Sequence, residues 1–198
     1  LAKDILDGDT GTPVIPKPAP PVILGAEPAA VASAATMIQS ADHPIILAGE
    51  MIAFEDGYTE LQSLALASGA GVMTAYRQQD VFPNDHKAYF GQLTLNRLPY
   101  QKEAWDACDL VINIGCRLDS ATSADYSLIR DDQKMIMAYP DASVFSQWQP
   151  DVAMGANAKP AMAAITDALT TFTPGIVSAS CEFNEAMRRQ IVWKVQWM

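Results

Sequence analysis

Apolar positions along the chain change period many times, and each change marks an element. From Pro28 to Ser40, Val31, Ala34, Ala35 and Ile38 recur at the spacing of one helical face, and Pro28 suits a first turn. His43-Pro44 breaks that pattern. Ile45-Ile46-Leu47-Ala48 is then a short continuous apolar run, as expected for a strand covered on both faces, and Gly49 ends it. Tyr58 to Ser68 returns to the helical period with Leu61, Leu64 and Ala65 inward and Gly69 as its stop. Val72 to Ala75 is a second strand and Ala88-Tyr89-Phe90 a short extended piece before Gly91. Pro99 to Ala107 is helical, and Leu110 to Gly115 is the strongest strand pattern of all. Lys134 to Ala138 and Val152 to Met154 are further strands. Lys159 to Thr171 is a helix with Met162, Ile165 and Leu169 inside, and Glu182 to Trp197 reads as a last amphipathic helix.

Strands separated by helices require crossover connections, and crossovers give parallel pairing. The expected fold is therefore α/β, a doubly wound and mainly parallel Rossmann-like sheet of about six strands with helices on both faces. In such sheets ligands sit beyond the carboxyl ends of the strands. The loops to watch are Gly49-Glu50-Met51, Tyr76-Arg77-Gln78, Gly91-Gln92-Leu93 and Gly115-Cys116-Arg117-Leu118-Asp119.

Residues 1–27 are of a different composition. Prolines at 13, 16, 18, 20 and 21 fix φ and remove amide donors, so this stretch reads as an extended arm or linker. An ordered strap is expected, because Val14, Ile15, Val22, Ile23 and Leu24 would otherwise be exposed. Residues 28–172 form the Rossmann-like domain, and 173–198 a linker and helix that lead onward. Ile191, Trp193 and Trp197 of that helix have little to cover them, which predicts self-association there. The start, Leu1-Ala2-Lys3-Asp4, has neither an initiator Met nor a signal-peptide pattern, as expected of a piece of a longer cytoplasmic polypeptide.

The net charge of −10 repels phosphate backbones and anionic lipid, so nucleic acid and membrane are poor partners. Apolar runs such as Leu110 to Ile114 are far too short to span a bilayer. Cys108, Cys116 and Cys181 make no metal-binding pair with the two histidines, and the first two flank a strand pattern as small buried residues.

Candidate chemistry is sparse. Gly115 at a strand end allows backbone to approach a ligand, Arg117 offers a planar fork to a phosphate or carboxylate, and Asp119 suits a ribose hydroxyl. The competing reading is an Arg117–Asp119 surface pair. Gly8-Asp9-Thr10-Gly11 and Glu55-Asp56-Gly57 read as turns. His43 and His86 lie in proline-containing turns and suit turn stabilisation better than base catalysis. No Gly-x-Gly-x-x-Gly, Walker loop or Gly-x-Ser-x-Gly is present, and no catalytic residue is assigned.

Three segments carry a resemblance. Ala41-Asp42-His43-Pro44-Ile45-Ile46-Leu47-Ala48-Gly49, Phe82-Pro83-Asn84-Asp85-His86-Lys87-Ala88-Tyr89-Phe90-Gly91 and Ala107 to Asp119 occur in order within 28–169. Together they resemble the central domain of thiamine-diphosphate-dependent enzymes, of the acetolactate synthase family in particular. The resemblance implies a parent enzyme that decarboxylates a 2-oxo acid or carboligates the product, with thiamine diphosphate and magnesium held by flanking domains. This chain would then be structural, supporting homo-oligomer assembly, and not catalytic alone.

In some members the central domain holds FAD or ADP, and the positions that would do so here are Gly49, Gly91, Gly115, Arg117, Asp119 and Asn157. The chain departs from that pattern at Glu50 and Met51, which replace small glycines. It departs again at Ala138-Tyr139-Pro140-Asp141, and at Asn157 where an aspartate often meets adenine. A sirtuin-like or deoxyhypusine-synthase-like NAD domain is a further alternative, but the chain lacks its catalytic His or Lys and its zinc cysteines.

Overall fold

The computed structural model describes residues 17, 19, 20 and 22–172. The expected helix at 182–197, its tryptophans, and Val14 and Ile15 lie outside those residues. The chain builds α1 (Pro28–Ser40), β1 (Pro44–Ala48), α2 (Glu50–Phe54), α3 (Tyr58–Ser68), β2 (Gly71–Thr74), β3 (Tyr89–Gln92) and α4 (Pro99–Ala107). It continues through β4 (Leu110–Ile114), β5 (Lys134–Ala138), a 3-10 turn (Ala142–Val144), α5 (Phe145–Trp148), β6 (Val152–Met154) and α6 (Ala158–Phe172). The strand order is β3-β2-β1-β4-β5-β6 and every pairing is parallel, the doubly wound arrangement expected.

β1 and β4 sit at the centre, paired from Pro44 with Leu110 to Ala48 with Ile114, and all ten of their residues are buried. Alternation along the strands divides the core into two layers. Ile46, Ala48, Val72, Ile112 and Ile136 meet Val31 and Ile38 of α1, Leu61 and Leu64 of α3, and Met162 and Ile165 of α6. Ile45, Leu47, Met73, Val111 and Met137 face Ala104 and Trp105 of α4 and the irregular segment carrying Leu118 and Leu128. A layer of this kind holds a sheet because each strand side chain leaves water on both faces.

At the amino edge of the sheet, carboxylates hold the strand entrances. Asp109 accepts from the amides of Asp42 and His43, each at 2.8 Å, and Asp151 accepts from that of Met135 at 2.8 Å. Asp109→Ala should leave two amides to weak solvation and cost about 1–2 kcal/mol, a fall in Tm of about 2–8 °C by calorimetry. Asp109→Asn, which keeps one acceptor oxygen, should lose about half as much.

Three local expectations need correction, and one pair of short elements went unread. Gly49-Glu50-Met51 is not an open loop: Gly49 precedes α2, whose strong helix formers begin a turn at once. Gly91 lies inside β3, where φ of +93° accommodates an irregularity in its pairing with β2. The short helices at 142–148 follow no apolar period and so left no pattern to read. Lastly, among the described residues of the arm, Ala26 packs against the core but the large apolar side chains are not covered. Val22 and Ile23 are 76% and 73% exposed, and the attachment is through backbone at Leu24, whose amide and carbonyl both bond to Asn157. Among the described residues no helix is long and apolar enough to cross a membrane.

Candidate functional site

β1, β4 and β5 end side by side, and the backbone beyond them is tightly laced. Gly49 donates to the Ile114 carbonyl at 2.9 Å, Met51 to that of Gly115 at 3.0 Å, and Gly115 to that of Ala138 at 2.9 Å. A β-carbon on Gly49 would run into the Gly115 carbonyl oxygen and the α-carbon of Cys116. Gly115 has φ of +64°, and a β-carbon there would lie 2.8 Å from that of Met51. Both glycines therefore serve close approach, as the sequence suggests, but what approaches is this chain's own backbone and Met51.

A chain of polar side chains lies across the same three strand ends. The Tyr139 hydroxyl accepts from Arg117 Nε at 3.0 Å and donates to Glu50 Oε1 at 3.1 Å. Arg117 Nη2 donates to Asp141 Oδ2 at 3.2 Å, and its guanidinium lies 5.5 Å from the centre of the Tyr139 ring. Arg117 thus pairs with Asp141 rather than with Asp119. Burial raises the Tyr139 phenol above its ordinary value, opposed by the Arg117 hydrogen bond and reinforced by the Glu50 charge. The Asp141 carboxyl is lowered first by its hydrogen bonds from Ser143 and then by Arg117. What Asp141 contributes is therefore present above the ordinary carboxylate range and lost as pH falls through its lowered value.

Asp119 turns into its own loop. Its Oδ1 accepts from the Thr122 amide at 2.8 Å, and its carbonyl accepts from the Ser123 amide and hydroxyl at 2.9 and 2.7 Å. That loop holds Ala124, Asp125 and Tyr126 at φ of 51°, 53° and 65°, a left-handed run that the surrounding hydrogen bonds over-determine. Its Thr122 hydroxyl accepts from the Tyr76 amide at 3.2 Å, linking the turns after β2 and β4.

The remaining two candidates lie elsewhere. Gly91 is separated from β4 by β2 and β1, and a β-carbon on it would lie 2.8 Å from Nε2 of the buried Gln101. Asn157 accepts from Leu24 at 2.8 Å and donates to Glu55 Oε1 at 2.8 Å, while Glu55 Oε2 accepts from Lys159 at 2.9 Å. Asn157 is thus a clamp between the arm, the end of α2 and the start of α6.

The fold brings Gly49, Gly115 and Arg117 together and keeps Asp119 beside them but occupied. Glu50, Tyr139 and Asp141 complete the cluster. In the sequence they stood out only as departures from the family pattern, and that was the signal to follow. His86 has a turn role, its Nδ1 accepting from the Ala88 amide at 3.1 Å. No group of three or more potential metal ligands comes together among the described residues.

The two described cysteines are buried and free. Burial pushes the Cys108 thiol up to about 12 and raises that of Cys116 as well, so both stay neutral at ordinary pH. In a Cys181→Ser background, iodoacetamide at pH 8 should modify neither in the native protein and both in denaturant. Mass spectrometry would read native labelling as an error in this placement.

A six-stranded parallel sheet with order 3-2-1-4-5-6 and a glycine-lined carboxyl edge defines the class: a doubly wound, Rossmann-like α/β domain. Residues 31–165 match the model of the thiamine pyrophosphate enzyme central domain, and the chain belongs to that family. It is 29% identical over 142 residues to the "Probable acetolactate synthase large subunit" of Methanocaldococcus jannaschii, covering 69% of this chain and 24% of that protein. It is 30% identical over 105 residues to sulfoacetaldehyde acetyltransferase of Rhodobacter capsulatus, 53% of this chain and 17% of the relative. The chain thus spans a quarter or less of the length of these relatives. Benzoylformate decarboxylase of Polynucleobacter necessarius shares the fold, with a TM-score of 0.61 at 20% identity over 78% of this chain and 30% of that one.

Proposed function

We propose that this chain is the non-catalytic middle of a thiamine-diphosphate-dependent enzyme that decarboxylates a 2-oxo acid or carboligates the product, similar in this respect to acetolactate synthase. One observation supports the reading above all: the family match covers a central domain, and the relatives continue well beyond it. The polar cluster at the strand ends is in accord, since each of its groups is engaged by another and none is poised as a nucleophile or base. On this reading residues 1–27 are the connection from a preceding domain, 28–172 the central domain, and 173–198 the lead into a following one.

The flanking domains of the same polypeptide would hold thiamine diphosphate and magnesium, and the cofactor would supply the carbanion chemistry that no side chain here provides. The central domain would pack against them and support a cytoplasmic homo-oligomer, with nucleic acid and membranes as non-partners of its acidic surface. Expression of the whole reading frame is the test. Its product should release carbon dioxide from a 2-oxo acid only with thiamine diphosphate and magnesium, while the 198-residue chain should release none. Turnover by this chain alone would overturn the proposal.

A further inference from the structure

We propose that the carboxyl-edge cleft of this domain is closed from within and takes neither FAD nor ADP. Glu50, Arg117, Tyr139 and Asp141 instead tie together the ends of β1, β4 and β5. This stands on the geometry of the cleft alone, whatever the parent enzyme does.

A diphosphate bound at such an edge needs bare backbone, free amides and positive charge. Each requirement meets an obstacle here. The bare backbone is consumed, because the open side of Gly49 abuts Gly115 and Cys116 while that of Gly115 abuts Met51. Two of the amides are consumed as well. At the first turn of α2, the Met51 amide donates to the Gly115 carbonyl at 3.0 Å and the Ile52 amide to that of Gly49 at 3.3 Å. The charge has the wrong sign: Arg117 is the one cation of the cluster, and Glu50 and Asp141 set two carboxylates against it.

The positions that would grip the rest of a nucleotide are equally engaged. Asp119 accepts from its own loop, and Asn157 is held between Leu24 and Glu55. Tyr139, where the family pattern has an aspartate-containing strand end, instead spans from β5 to Glu50 beyond β1. The hydrogen bonds it makes on both sides do what a bound dinucleotide would do for the strand ends, namely join them across the sheet.

Thermal unfolding of the 198-residue chain with FAD or ADP at about 1 mM tests the first half. A ligand that fills a folded-state site a hundredfold above its Kd raises Tm by several degrees. The expected shift is below about 1 °C with either nucleotide, with no flavin absorbance left after desalting. A larger shift, or flavin retained at near one per chain, overturns the proposal. Tyr139→Phe tests the second half, since it keeps the ring and deletes both hydroxyl hydrogen bonds. Its Tm should fall by more than about 1 °C in the absence of nucleotide, and a Tm within that margin of the wild type would remove the tie.

Discussion

Replacing Gly49 by alanine is expected to cost about 3 kcal/mol or more, seen as a fall in Tm of at least about 6–12 °C or as loss of soluble protein. Backbone conformation is not the cause, since φ at Gly49 is −110° and any residue adopts it. The cost is steric. The new methyl would occupy the place of the Gly115 carbonyl oxygen and the Cys116 α-carbon, which are main chain and cannot swing aside like the end of a side chain. Relief would require β1 and β4 to separate at their buried ends, breaking the bond from the Gly49 amide to the Ile114 carbonyl. Gly155→Ala is the matched control, because a β-carbon there meets nothing within 4 Å. A normal melting curve for Gly49→Ala would mean the two strand ends are further apart than described.

Trp105→Ala should be comparable, about 3–5 kcal/mol or a fall in Tm of about 6–20 °C. Trp105 is 1% exposed and is the largest fully buried side chain of the layer between α4 and the sheet. Its Nε1 donates to the Leu128 carbonyl at 2.8 Å, so truncation leaves both a cavity and an orphaned acceptor. Trp105→Phe keeps much of the volume and drops the hydrogen bond, and should lose clearly less than alanine. Denaturant midpoints for the pair separate filling from bonding, and equal losses would show that the hydrogen bond dominates.

The elements with strong periods were legible in the sequence. Continuous apolar runs at Ile45 to Ala48 and Leu110 to Ile114 are the two central strands, and the faces marked in 28–40 and 58–68 are the buried ones. Helix α2 was not legible, because five residues are too few to show a period. The site was half legible. Gly49 and Gly115 announce a close approach, but a glycine does not say whether ligand or protein does the approaching. Tyr139 and Glu50 meet across 89 residues of sequence, a contact that topology creates and no local pattern encodes. Asn157 was a candidate only through the family resemblance, and its partners, Leu24 and Glu55, are 133 and 102 residues away, beyond the reach of any local pattern.

The stitch between Leu24 and Asn157 also sets how tension along the N-terminal arm would reach the body. Two hydrogen bonds, of 2.8 and 2.9 Å, join the arm to Asn157 just ahead of α6, and Glu55 ties that point on to α2. A pull from the arm loads these bonds before any strand is sheared. Leu24 is therefore the point where the arm would peel away, and the six-stranded body behind it would feel little of the force until it does.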